Sequence, residues 1–208
     1  MSASLTEQPQ LDARAAETVA LAVPLDARLM VGVEDFERLC AANRDLRLER
    51  TAQGELIAMS PAGSESGARN MTLSARLWIW AEADGTGVAF DSSAGFTLPN
   101  GAIRSPDASW IRKERWEALS AKQRAGFAPI QPDFVVELCS PSDTLEAGSA
   151  KLREYLDNGA RLGWLIDPES GTVAIYRPGR DVETLSRPAS LSGEETLPGF
   201  VLDLKGIL

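Results

Sequence analysis

The sequence predicts one α/β domain built on a mixed β-sheet, and three observations carry that reading. Helix-period and strand-period segments alternate along most of the chain. Residues 133–139 (DFVVELC) form a nearly continuous apolar run, the pattern of a central strand covered on both faces. The chain has 208 residues, 44% of them apolar, enough for one sizeable core and short for two.

Residues 1–30 are Ala-rich, carry Pro9 and Pro24, and show no sustained period. They are expected to form a flexible N-terminal arm ahead of a single domain over 31–208. Val33, Phe36, Leu39 and Cys40 fall at helical spacing and predict a short amphipathic helix over 33–43. Segments 46–50 (LRLER) and 55–59 (ELIAM), joined across Ala52-Gln53-Gly54, read as a hairpin that Ser60-Pro61 ends. Residues 65–83 predict a long helix with Ala68, Met71, Ala75 and Trp78 on one face and Leu73, Leu77 and Trp80 on another. That breadth predicts burial on more than one side, with Gly85 as the stop.

Short strands follow at 88–90 and 95–98, then a Pro99-Asn100-Gly101 turn, a strand at 107–111 and a short polar helix over 113–119. After the 133–139 strand, Ser140-Pro141-Ser142-Asp143 opens a helix to about Asp157, with Asp143 and Glu146 spaced as a capping box. Leu145, Leu152, Tyr155 and Leu156 form its apolar side, and Asn158-Gly159 ends it. Strands at 162–166 and 172–176 flank a turn at Asp167-Pro168, and 182–185 reads as an edge strand.

Composition removes several kinds of chemistry. The chain has no histidine, which excludes Ser-His-Asp and Cys-His catalysis and histidine-ligated zinc. Cys40 and Cys139 lack CxxC spacing and read as reduced thiols of a cytoplasmic protein. No apolar run approaches the about 18 residues of a membrane span, and no secretory signal opens the chain. Any acid, base or metal ligand must come from Asp, Glu, Lys, Tyr or Cys, and a carboxylate-only site favours Mg²⁺ or Mn²⁺. A net charge of −9 argues against a protein that coats nucleic acid, though one local basic face is compatible with it.

The candidate site rests on carboxylates in apolar strands. Asp107 opens one strand, and Glu137 sits inside the most hydrophobic one. A charge there is costly unless it is paired or holds a metal. Asp133, Val135, Glu137 and Cys139 share one face of their strand. Glu137 is open to three readings, a metal ligand, a buried ion pair with Lys151 or Arg153, or a place at an exposed sheet edge. Lys151 lies about 100° round its helix from Leu152, at the edge of the apolar face; as a solvated residue it would pair with Glu154 or Asp157. Arg104, Arg112, Lys113, Arg115, Lys122 and Arg124 flank the Asp107 strand, either as a phosphate track or as a solvated surface balanced by Glu114 and Glu117. The five tryptophans read as core or interface residues, Trp78, Trp80 and Trp164 lying in strongly apolar elements and Trp110 and Trp116 being the candidates for a partner surface.

Several motifs together resemble the Uma-two family of the PD-(D/E)xK nuclease superfamily. They are Gly54-Glu55-Leu56, Met59-Ser60-Pro61, Ser105-Pro106-Asp107, the 132–138 segment PDFVVEL, Ser140-Pro141-Ser142-Asp143, Lys151 with Tyr155, the 159–168 segment GARLGWLIDP and Leu197-Pro198-Gly199-Phe200. The order and spacing over about 33–205 carry the resemblance more than any single motif. It implies a restriction-endonuclease-like mixed β-sheet core flanked by helices, and a Mg²⁺- or Mn²⁺-dependent endonuclease acting on DNA. It implies metal ligation by Asp107 and Glu137, and catalytic roles for Lys151 and Glu65 as well. Cys139 stands where the motif's lysine belongs, and Lys151 on the next helix is the natural substitute. Glu65 is also explained as a helix N-terminal carboxylate. Asn70 and Glu55 are further polar candidates, while Ser140 and Asp143 are assigned to helix capping. By analogy with nucleases that cut both strands, a homodimer is expected. The alternative is a nuclease-fold protein that binds nucleic acid or protein without catalysis, an alternative to which Cys139 and the acidic charge give weight.

Overall fold

The computed structural model describes residues 28–141 and 143–208. Most of the arm expected over 1–30 therefore lies outside the described residues. Of the rest, Leu29 accepts a backbone hydrogen bond from Leu56 N at 2.7 Å.

In chain order the elements begin with α1 (Val33–Ala42), β1 (Arg47–Arg50), β2 (Leu56–Met59), α2 (Ser64–Asp84), β3 (Gly87–Asp91), β4 (Phe96–Thr97), β5 (Ile103–Arg104) and β6 (Ala108–Arg112). They continue with α3 (Lys113–Glu117), α4 (Ala121–Ala125), β7 (Phe134–Leu138), α5 (Leu145–Asp157), β8 (Leu162–Asp167), β9 (Thr172–Tyr176), β10 (Glu183–Ser186), β11 (Ser190–Ser192) and β12 (Val201–Asp203). The central sheet has six strands in the order β10-β9-β8-β7-β6-β3. Only β7 and β8 pair in parallel, joined through α5 as a parallel connection requires. An antiparallel sheet, β2-β1-β5-β4, and the β11-β12 pair complete the mixed α/β architecture.

Side-chain alternation divides the core. Phe134, Val136 and Leu138 of β7 face one layer with Leu73, Leu77 and Ala81 of α2, and with Leu191 and Leu202. Val135 faces the other, with Leu152 and Tyr155 of α5 and with Phe96 and Leu98. Both faces of β7 are thus covered, as its unbroken apolar run requires. Two glycines let α5 lie close against the sheet. A Cβ on Gly163 would stand 2.5 Å from Leu152 Cδ1, and one on Gly148 would stand 2.7 Å from Leu165 Cδ1.

Several expectations are corrected. Helix α2 buries one face only: Leu73, Leu77 and Ala81 are buried, whereas Met71, Trp78 and Ile79 are exposed. Trp110 belongs to the core at 1% exposure, and Trp78 takes the surface place expected for it. The cap of α5 is Thr144, whose side chain accepts from Ala147 N, while Asp143 instead accepts from Ser140 N at 2.8 Å. Arg104 is buried, so it leaves the proposed basic surface. Arg115 is likewise committed, at 2.8 Å from the buried Asp133. No helix is long and apolar enough to cross a membrane among the described residues.

Candidate metal centre

Four elements, β6, β7, α5 and β1, aim charged side chains at one point beside the C-terminal end of β7. Strands β6 and β7 pair antiparallel with Ala108 opposite Val136 and Ser109 opposite Val135. One step further in that register, Asp107 stands opposite Glu137, on the face that carries Val135. Asp107 Oδ2 accepts from Leu138 N at 2.9 Å, which ties the carboxylate to the end of β7.

Helix α5 crosses this face. Lys151 and Tyr155 lie four residues apart, hence on one side of the helix. Lys151 Nζ donates to Glu137 Oε2 at 3.0 Å, and Tyr155 Oη donates to Glu137 Oε1 at 2.8 Å. The fourth element is β1, where alternation sends Leu48 into a small cluster with Phe36 and Ile103. Arg47 and Glu49 therefore point the other way. Glu49 Oε1 accepts from Lys151 Nζ at 3.2 Å and from Ser105 N at 3.0 Å, and its Oε2 accepts from Arg104 Nη1 at 3.0 Å. Arg104 Nε donates to Glu154 Oε2 at 2.7 Å. Arg47 Nη2 stands 3.8 Å from Asp107 Oδ1.

The sequence model of the Uma2 family, described as "Putative restriction endonuclease", matches residues 33–205. The chain belongs to the Uma2 family. Among solved structures, it is similar to one described as a putative nuclease belonging to DUF820 from Anabaena variabilis ATCC 29413. The two share 21% identity at a TM-score of 0.65, over 77% of this chain and 88% of that one. That likeness supports the restriction-endonuclease-like fold. No curated protein matches.

In this Uma2 chain, Asp107, Glu137 and Lys151 come together, and Glu65 does not join them. Glu65 opens α2, on the opposite face of the sheet from α5; its side chain is 80% exposed and its carboxylate is 2.6 Å from Arg69. Arg69 in turn borders a cleft of about 260 Å³ with Cys139, Ser140, Pro141, Asp167, Pro168 and Glu169. Asn70 Oδ1 is buried without a hydrogen-bond partner among the described residues. Glu55 lies on the far edge, 3.8 Å from Arg28. Of the alternative partners for Glu137, Lys151 is the one observed; Glu154, offered as a partner of Lys151, is taken by Arg104.

Burial and like charge set the electrostatics. Burial, with Asp107 and Glu49 nearby, outweighs Lys151 and pushes the Glu137 carboxyl up to about 7. Burial likewise raises Asp107, against the opposing hydrogen bond from Leu138. Burial would raise Glu49 too, yet Lys151 and Arg104 hold it below the ordinary carboxylate range. Although burial opposes it, the Lys151 ammonium is held well above its usual value by Glu137 and Glu49. Cys139 is pushed up to about 12, chiefly by burial and then by Asp167, Asp143, Glu137 and Asp107, so it stays a thiol.

No group of three or more His, Cys, Asp or Glu side chains converges as a ready-made cage among the described residues. The donor chemistry nonetheless suits a hard cation. Asp107 Oδ1 accepts no hydrogen bond among the described residues, its neighbour Arg47 being 3.8 Å away. Glu137 is a carboxylate that its surroundings make reluctant to ionise, a condition a bound cation relieves. Mg²⁺ and Mn²⁺ sites commonly use one or two carboxylates and several waters. Glu49, Arg104 and the Tyr155 hydroxyl are the members that sequence reasoning missed.

Proposed function

We propose that this Uma2 protein is a divalent-metal-dependent endonuclease that hydrolyses DNA phosphodiester bonds, with Mg²⁺ or Mn²⁺ held by Asp107 and Glu137. One observation carries the reading: two carboxylates face each other across β6 and β7, with the Lys151 ammonium 3.0 Å from one of them. Membership of the Uma2 family supports it.

A divalent cation at such a site lowers the pKa of a bound water and offsets charge on a phosphate oxygen. The chain's own residues do the rest. Lys151 stays an ammonium through the neutral range, so it serves as a charge and hydrogen-bond donor to the phosphoryl oxygens and not as a base. Glu49, nearly sealed from solvent at 2% exposure, holds that ammonium from behind. Tyr155 fixes the rotation of the Glu137 carboxylate. Water adds to phosphorus and gives its proton to solvent or to a carboxylate, while one P–O ester bond breaks and the leaving alkoxide takes up a proton from solvent. Cys139 is a thiol and takes no part. Glu65 has no place among the ligands in this reading and acts as the counter-charge of Arg69 at the cleft.

The test is cleavage of plasmid DNA with Mg²⁺ or Mn²⁺ by the purified protein and by Asp107→Ala. Nicking or cutting that the substitution abolishes is expected. Equal cleavage by both removes Asp107 from the mechanism, and a wild-type chain that neither cuts DNA nor takes up Mn²⁺ leaves the binding-module alternative.

A further inference from the structure

We propose that Arg47 is the DNA-phosphate clamp of this site, an assignment that rests on the nuclease reading above. Strand alternation sends Arg47 to the same face as Glu49, beside Asp107. Its Nη2 is 3.8 Å from Asp107 Oδ1, too far for a hydrogen bond, and its side chain is 40% exposed. Its Nε is buried and has no hydrogen-bond partner among the described residues. An orphaned buried donor is costly, so it calls for an acceptor that arrives later.

The neighbouring guanidinium groups are already committed, Arg104 to Glu49 and Glu154 and Arg69 to Glu65. Lys151 gives two of its three N–H donors to Glu49 and Glu137 and keeps one for a phosphoryl oxygen. Arg47 is the guanidinium beside Asp107 with unspent donors, and it opens to solvent. Its planar fork suits two oxygens of one phosphodiester. Once Asp107 engages a cation, its attraction for Arg47 falls, and the guanidinium turns to the incoming anion. Asp107 thus exchanges one positive partner for another, while Arg47 exchanges a carboxylate for a phosphate. The ligand class follows from this geometry: the phosphate backbone, with no base contact implied.

Two opposite shifts test the assignment. Duplex affinity is read by fluorescence anisotropy of a labelled DNA duplex in Ca²⁺ over a salt series, and Mn²⁺ affinity by calorimetry without DNA. Arg47→Gln, checked for an unchanged melting temperature, is expected to bind the duplex about tenfold more weakly. Its log–log salt slope should flatten by about one unit, as for one lost phosphate contact. Its Mn²⁺ affinity should stay equal or become tighter, because a competing positive charge is gone. Arg47→Lys should keep the salt slope but lose part of the affinity, and it serves in place of Arg47→Gln if that variant does not fold. Duplex affinity and slope unchanged in the substituted protein, with Mn²⁺ still bound, overturn the clamp and leave the nuclease reading standing. A wild-type chain that binds neither Mn²⁺ nor duplex overturns both.

Discussion

Lys151 neutralises two buried carboxylates at once, 3.0 Å from Glu137 and 3.2 Å from Glu49. Removing one partner of a buried ion pair costs far more than replacing the whole pair. Lys151→Met should therefore destabilise the fold by about 3 kcal/mol at pH 8 in urea titration. The deficit should shrink toward pH 5, because Glu137 can then take up a proton. A deficit independent of pH contradicts the assignment of that proton to Glu137. The same residue sets a pH dependence. Without metal its carboxyl titrates near 7, above the ordinary 4.5. Between those values the folded chain keeps a proton that the unfolded chain releases, so the stabilisation this gives at low pH is lost as pH rises through about 7. A metal ligand must be deprotonated. Mn²⁺ affinity measured by calorimetry should rise from pH 6 to above 7, with proton release, and then level off; a flat profile would argue that Glu137 is not a ligand.

At the scale of elements, α5 decides whether the site exists, because it brings both Lys151 and Tyr155 to Glu137. Its seat depends on close approach at Gly163, where a Cβ would meet Leu152 at 2.5 Å. Gly163→Ala is expected to destabilise by about 1–3 kcal/mol through overpacking. Because α5 must shift, Mn²⁺ affinity should drop as well, although residue 163 carries no ligand; loss of stability with unchanged Mn²⁺ affinity would separate the helix seat from the site. Element-scale physics also explains what the sequence disclosed. Glu137 stood out because it interrupts an apolar strand, and Asp107 because it opens one. Glu49 did not, because in RLER three of four residues are charged and nothing distinguishes a sealed carboxylate from a solvated one. Arg104 was hidden by the two-residue length of β5, too short to show alternation, and by its place in a basic run. In α2 the apolar residues exceed what the core uses, so breadth of hydrophobicity overstated its burial. Trp110 was misplaced for a related reason: Ser109 beside it reads as a surface position, yet Ser109 is itself buried.

Across the whole molecule, a net charge of −9 and an acidic mouth oppose a polyanion. Glu49, Asp107 and Glu137 face Lys151, Arg104 and Arg47, so the site offers phosphate no surplus of positive charge until a cation is added. In the proposed nuclease, DNA affinity and cation affinity are then linked, each raising the other by the same factor. Chelation with EDTA should reduce duplex binding at least tenfold in an anisotropy assay, and the duplex should tighten Ca²⁺ binding equally. Binding indifferent to chelation would point to a second, cation-independent surface. Whether Asp107 and Glu137 share one divalent cation across β6 and β7 is decided by a crystal soaked in Mn²⁺ and measured for anomalous scattering. The predicted result is a peak within bonding distance of both carboxylates, lost in Asp107→Asn crystals. A fully soaked crystal with no peak between them, and with Lys151 still bridging Glu137 and Glu49, would contradict a shared cation.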